Sequence, residues 1–176
     1  MRIGADYYPE HWEKERWKTD AEMMVKANIK VIRIGEFAWS LYEPEEGKYE
    51  FDWMDEALDF FGKYGIKVVM CTPSATPPKW MIDKYPDILQ NDIHGNPKLF
   101  GTRKHYCFNS QTYREKTKKL NTLIAKRYAK HPAIEAWQGD NELGWSNTTR
   151  CYCKSCENRF RNWLKEKYGT IDNLNK

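Results

Sequence analysis

The chain has 176 residues, enough to bury a substantial core as one compact unit, and 29 Lys and Arg against 25 Asp and Glu give a formal charge of +4. The charges are interspersed, which reads as a solvated surface and argues against nucleic acid as a partner; no apolar run approaches membrane-spanning length, which argues against a membrane. Aromatic residues reach 15%, with eight Trp, and their flat apolar faces with a polar handle suit carbohydrate as well as cores.

Arg2 to Tyr8 reads as a first strand, followed by a polar, aromatic loop through Pro9, His11 and Trp12. Trp17, Ala21, Met24, Val25 and Asn28 then recur at helical spacing. Lys30 to Gly35 is a short apolar strand. Asp52 is a candidate N-cap for a helix through Leu58 and Phe61, with Gly65 as its stop, and Ile66 to Met70 is the next strand. From about Cys71 to Ser110 the rhythm breaks, and the prolines at 73, 77, 78 and 86 leave room only for a short helix around Lys79 to Lys84. A basic helix follows from about Thr112 to Lys130, with Leu120, Leu123, Ile124 and Tyr128 on one buried face. Ala133 to Gln138 reads as a strand, and Ser155 as the cap of a last helix, Cys156 to Tyr168, ended by Gly169.

Four strands alternating with four helices imply an α/β fold with a parallel sheet. A Gly-rich phosphate loop is absent, so a nucleotide-binding open sheet is less attractive. The polar and aromatic clusters all follow strand ends: Tyr7-Tyr8, Glu36-Phe37-Trp39, Cys71 to Pro78, and Asn141-Glu142-Trp145. A (β/α)8 TIM barrel keeps its active site there and needs about 250 residues. Residues 1–176 therefore read as half of such a barrel, carrying a cysteine-rich loop at 151–156; the resemblance described below implies that it is the N-terminal half.

Trp137 to Gly144 ends an apolar run with an adjacent Asn-Glu pair. A carboxyl among Trp137 and Trp145 would have its ionised form disfavoured, as a general acid requires, and Asn141 can hydrogen-bond a sugar hydroxyl. The same pair can instead simply cap a turn. Cys151-x-Cys153-x2-Cys156 brings three thiols within six residues, and Cys107 can complete a tetrahedral four-thiolate site; ordinary reduced cysteines, or His105 in place of one thiolate, are the alternatives. Cys71 reads as a small buried apolar residue. His11, His94 and His131 suggest no partners, and Trp12, Trp39 and Trp80 fit either core packing or a sugar-stacking wall. The sequence carries no secretion signal, so the cytoplasm is the default location and disulfides are not expected.

Trp137 to Gly144 resembles the strand-four signature of clan A retaining glycosidases. The runs Gly4 to Trp12, Arg33 to Ser40, Thr72 to Trp80 and Gly101 to Cys107 look in particular like family 42 β-galactosidases. That resemblance implies hydrolysis of terminal non-reducing β-D-galactosides with retention, with Glu142 as acid/base and Arg103 and Asn141 as galactosyl ligands. It also implies a structural Zn2+ on Cys107, Cys151, Cys153 and Cys156, and a full-length enzyme that is often a homotrimer. The family's nucleophile is a glutamate after the seventh strand, which these residues do not supply, so the chain alone is expected to be inactive. Arg33 and Glu36 are expected to pair inside the barrel mouth. The rival readings are a related clan A glycosidase for another sugar and a non-catalytic, zinc-stabilised carbohydrate-binding module.

Overall fold

A computed structural model describes residues 2–101, 103–144 and 149–176. Four parallel strands, β1 (Ile3–Asp6), β2 (Ile29–Ile34), β3 (Lys67–Cys71) and β4 (Ile134–Gln138), lie side by side in the order of the sequence. Helix α1 (Lys14–Lys26) joins β1 to β2. Helices α2 (Trp39–Tyr42) and α3 (Asp52–Lys63) precede β3, and α4 (Lys79–Lys84) and α5 (Gln111–Tyr128) precede β4. Helices α6 (Lys154–Tyr168) and α7 (Ile171–Leu174) follow. A parallel pair needs a long crossover, and a helix is the usual one, so this order follows from the alternation of apolar runs.

Period-2 alternation divides the sheet into two faces. Ile32 and Ile34 of β2 and Val68 and Met70 of β3 are fully buried toward the helices. They meet Trp17 and Ala21 of α1, Met54, Ala57, Leu58 and Phe61 of α3, and Leu120 and Ile124 of α5 in one apolar cluster. Each fully buried side chain of this size contributes roughly 1.5–3 kcal/mol. The opposite face carries Val31, Arg33 and Val69, which are only partly covered. Gly4 belongs to the β1–β2 contact, where a Cβ would stand 3.0 Å from the Val31 carbonyl oxygen, so only glycine lets the strands approach there.

The helices differ at their ends from the sequence reading. Asp52 is the first helical residue rather than the cap, because Phe51 takes that place. Helix α6 starts two residues early, with Cys153 as its N-cap and Ser155 inside the first turn. Ser110 caps α5, accepting from the Tyr113 N–H at 3.3 Å. The described residues of the Cys71–Ser110 excursion are structured rather than formless. They hold α4, two short 3-10 turns (Pro73–Ala75 and Pro86–Ile88) and isolated bridges that pair Leu89 with Tyr106 and Asn91 with Pro97. No helix among the described residues is long and apolar enough to cross a membrane.

Candidate active site

Because the strands are parallel, all their C-terminal ends open onto one rim, and the polar clusters meet there. Arg33 stands at its centre, on the inner face of β2. Its guanidinium donates to both carboxylate oxygens of Asp6 at 2.9 Å, to Gln138 Oε1 at 3.1 Å and to Asn141 Oδ1 at 3.2 Å. It also pairs with Glu36 Oε1 at 2.9 Å, as the sequence reading expected. Glu36 is sealed from solvent and also accepts from Tyr8 Oη at 2.9 Å; burial, then this bond, pushes the Tyr8 phenol up to about 12 and keeps it a donor.

Asn141 and Glu142 follow β4 by three and four residues. Asn141 is buried, and its side-chain oxygen also accepts from Gln138 Nε2 at 3.3 Å, which fixes the amide orientation. Glu142 projects to the open side, where Arg103 donates to its carboxylate at 3.0 Å. The Arg103 guanidinium lies over the Phe37 ring, 5.6 Å from its centre, and Phe37 stacks in turn on Tyr8. The three residues read as sugar-facing in the sequence therefore share one rim. Their surroundings differ from the expectation in one respect: the Glu142 side chain is 46% exposed and ion-paired, not enclosed by apolar walls. The register explains part of this, since Trp137 pairs with Met70 and so belongs to the helix-side face, whereas Gln138 reaches Arg33 on the inner face. Trp145 lies outside the described residues.

Residues that the sequence reading assigned no role hold this rim together. The Asp140 carboxylate accepts from Lys104 Nζ (3.0 Å), Ser74 Oγ (2.9 Å), Tyr106 Oη (3.0 Å) and the Asn141 N–H (2.6 Å). Its own N–H donates to Thr72 Oγ1 at 2.8 Å. Burial, then Tyr113 and Asp140, holds the Tyr106 phenol far above its usual range, so it remains a donor. The only sequence signal for this cluster was its place inside the quoted motifs.

The sulfur atoms of Cys107, Cys151, Cys153 and Cys156 lie within 4.8 Å of one another, and this four-thiol group is able to hold a metal ion. The Cys107 sulfur is 3.3 Å from that of Cys156 and 3.4 Å from that of Cys153. Tetrahedral thiolate sites with metal–sulfur bonds of about 2.3 Å need sulfurs at similar spacing. Burial pushes the Cys107 thiol well up and Cys151 up to about 11. For Cys153 burial works in the same direction, but hydrogen bonds, first from the Cys156 backbone, outweigh it and bring the thiol down. A cation would favour the thiolates that burial opposes, so the donor set fits a thiophilic metal. His105 is not in the group; it is buried edge-on against Phe100. Cys71 is fully buried, and burial pushes its thiol up to about 12, in keeping with an apolar packing role.

The remaining singled-out residues separate cleanly. Trp39 is completely buried and donates to Glu43, and Trp80 packs against the core and donates to the Glu43 carbonyl. Trp12 is exposed, with the Arg16 guanidinium 4.5 Å above its ring. His11 stacks on Tyr8, His94 is exposed, and His131 contacts Asp59.

The profile of glycoside hydrolase family 42, described as β-galactosidase, matches residues 6–176. A β-galactosidase of Thermus thermophilus is 52% identical over 173 residues, covering 98% of this chain and 27% of that protein. The crystal structure of a β-galactosidase from the psychrophilic Marinomonas ef1 superposes with a TM-score of 0.95 at 46% identity, over 99% of this chain and 27% of the other. The β-galactosidase of the Antarctic haloarchaeon Halorubrum lacusprofundi also gives 0.95, at 47% identity, over 99% and 26%. The chain thus spans about a quarter of the length of the relatives it matches. With its sequential parallel order, the sheet is a run of four βα units of a (β/α)8 TIM barrel.

Proposed function

Because this chain belongs to glycoside hydrolase family 42, the β-galactosidases, we propose that it is the N-terminal half of a barrel that hydrolyses terminal non-reducing β-D-galactosides with retention of configuration. The observation that carries the reading is the convergence of Arg103, Asn141 and Glu142 on one rim, with Arg103 bonded to the Glu142 carboxylate at 3.0 Å. Glu142 protonates the leaving glycosidic oxygen while a second carboxylate attacks the anomeric carbon; Glu142, now ionised, then takes a proton from the water that releases galactose. The two carboxyl groups of a retaining enzyme stand about 5 Å apart. Glu36 is committed to Arg33 and Tyr8, so the nucleophile is assigned to a strand beyond these four. Arg103 and Asn141 bind hydroxyls of the galactosyl unit, and the aromatic pair Tyr8 and Phe37 offers a flat wall beside them.

Zn2+ on Cys107, Cys151, Cys153 and Cys156 belongs to the same reading. When bound, it supplies a closed four-sulfur brace with no open position for substrate or water, so its role is structural. A four-thiolate site of this kind fits a reducing cytoplasmic compartment. The partners are the galactoside substrate and, in the full-length enzyme, two further copies in a homotrimer.

The test is Glu142→Gln in the full-length enzyme. General acid–base catalysis contributes about 10²- to 10⁴-fold. Turnover of lactose is expected to fall by that factor, and near-normal turnover would refute the assignment. Aryl glycosides assayed alongside fix the sugar, with preference for glucosides pointing to a different clan A activity.

A further inference from the structure

Lys104 is 1% exposed, an unusual position for a lysine, and its ammonium is neutralised by Asp140 at 3.0 Å. We propose that this pair of a buried Lys104 and a half-buried Asp140 is the positioning element that sets Glu142 against Arg103 and so aims the proton it delivers; the inference rests on the reading of Glu142 as acid/base. Lys104 is the next residue after Arg103, and Asp140 lies two residues before Glu142. The pair therefore ties together, at their roots, the two loops whose tips make the Arg103–Glu142 contact. Asp140 extends the tie to a third loop, through Ser74 Oγ and Thr72 Oγ1 beyond β3. Tyr106 adds a second bond from the Lys104 loop.

The backbone points the same way. Among the described residues four non-glycines have positive φ, and three of them are Lys104 (56°), Asp140 (59°) and Glu142 (44°). Left-handed backbone is unfavourable for residues with a Cβ and persists where the surroundings over-determine it. Here the surroundings are the ion pair and its hydrogen bonds. With Lys104 sealed from solvent and the Asp140 carboxylate committed to four donors, neither residue is placed to touch the substrate. Their effect passes through Glu142.

The discriminating measurement is the dependence on leaving group, in the full-length enzyme. A 2,4-dinitrophenyl galactoside departs without a proton, whereas methyl β-galactoside needs one, and kcat/KM reports this first bond cleavage for both. Displacement of a reacting group by about 1 Å costs about 10²-fold. Lys104→Met and Asp140→Asn are each expected to lower kcat/KM on methyl β-galactoside by about that factor, while the dinitrophenyl substrate changes by less than about 5-fold. Equal losses on both substrates would show a general structural role, and unchanged values on both would show no role; either outcome overturns the proposal. If a single variant fails to fold, Lys104→Met/Asp140→Asn leaves no buried charge bare, and the same split is required of it. Glu142→Gln is run in parallel. If it lacks the split, the acid/base reading itself fails; if it shows the split and the pair variants do not, only the positioning proposal fails.

Discussion

Replacing Arg33 with Met removes the hub of the rim and tests how much its buried partner depends on it. The guanidinium bonds to Asp6, whose side chain is 55% exposed, so that pair contributes only about 0.5 kcal/mol. Glu36 is different. Its side chain is 0% exposed, and its Oε2 is buried with no hydrogen-bond partner, so losing Arg33 strips the carboxylate of its cation and leaves the Tyr8 hydroxyl on Oε1. Stripping a buried charge of its partner costs about 3–5 kcal/mol. Gln138 and Asn141 lose a bond each but keep the one between them, which adds about 1 kcal/mol. A total near 5 kcal/mol, at roughly 2–4 °C per kcal/mol for a chain of this size, lowers Tm by roughly 10–20 °C. Tryptophan fluorescence during a thermal ramp reads this directly. Arg33→Met/Glu36→Gln, which no longer buries a bare carboxylate, should recover about 2 kcal/mol or more of the loss. A fall in Tm below about 3 °C for the single variant, or no recovery in the double, would show that the charge balance around Glu36 is not what holds the rim.

Three further outcomes follow from other parts of the molecule. Metal analysis of the reduced protein should find about one zinc per chain, lost in Cys153→Ser/Cys156→Ser; zinc-free protein with its thiols intact would contradict the brace. Glu46 accepts from Lys116, Lys84 and Tyr85, and these bonds, in that order of effect, lower its carboxyl from 4.5 to about 2. The stability this provides is present above pH 4.5 and is lost as pH falls toward 2, so Glu46→Gln should flatten acid unfolding in that window; an unchanged acid limb would discount the cluster. Finally, among the described residues β1 and β4 each have a single neighbour in the sheet, and Met23, Phe160 and Trp163 are exposed. The 176-residue chain should therefore self-associate, and a monodisperse monomer by light scattering would refute this.

β2 and β3 were legible because each is a short apolar run that the alternation of the sheet requires to be buried on one face, whereas β1 and β4, which carry no buried residue, were legible from their place in the alternation with helices. Ile32, Ile34, Val68 and Met70 are the residues that announce this, and they are the ones the helices cover. Helices of four residues such as α2 and α7 carry no period to detect, and α6 begins at Lys154 behind a Cys153 cap whose side chain makes no capping hydrogen bond and so gives no signal. At the site, local chemistry and resemblance single out the cysteines and the Asn-Glu pair in the sequence. Lys104 and Asp140 could not be identified in that way. A charged residue in a loop ordinarily signals solvent, and the enclosure of these two depends on residues 34 to 66 positions away in the chain meeting at Asp140. Trp137 failed as a neighbour of Glu142 for a related reason: strand alternation, invisible without the register, sends it to the other face.

The sulfur cluster also has a topological meaning. Cys107 and Cys153 are 46 residues apart, and the stretch between them contains all of α5, β4 and the Asn141–Glu142 loop. Closed by a metal, this stretch becomes a ring, and closing a ring of that size removes about 4 kcal/mol of unfolded-chain entropy. Glu142 then rides on a closed circuit rather than on an open tether. Chelation would cut the circuit at a single point and slacken an entire βα unit, although no bond to Glu142 itself is broken.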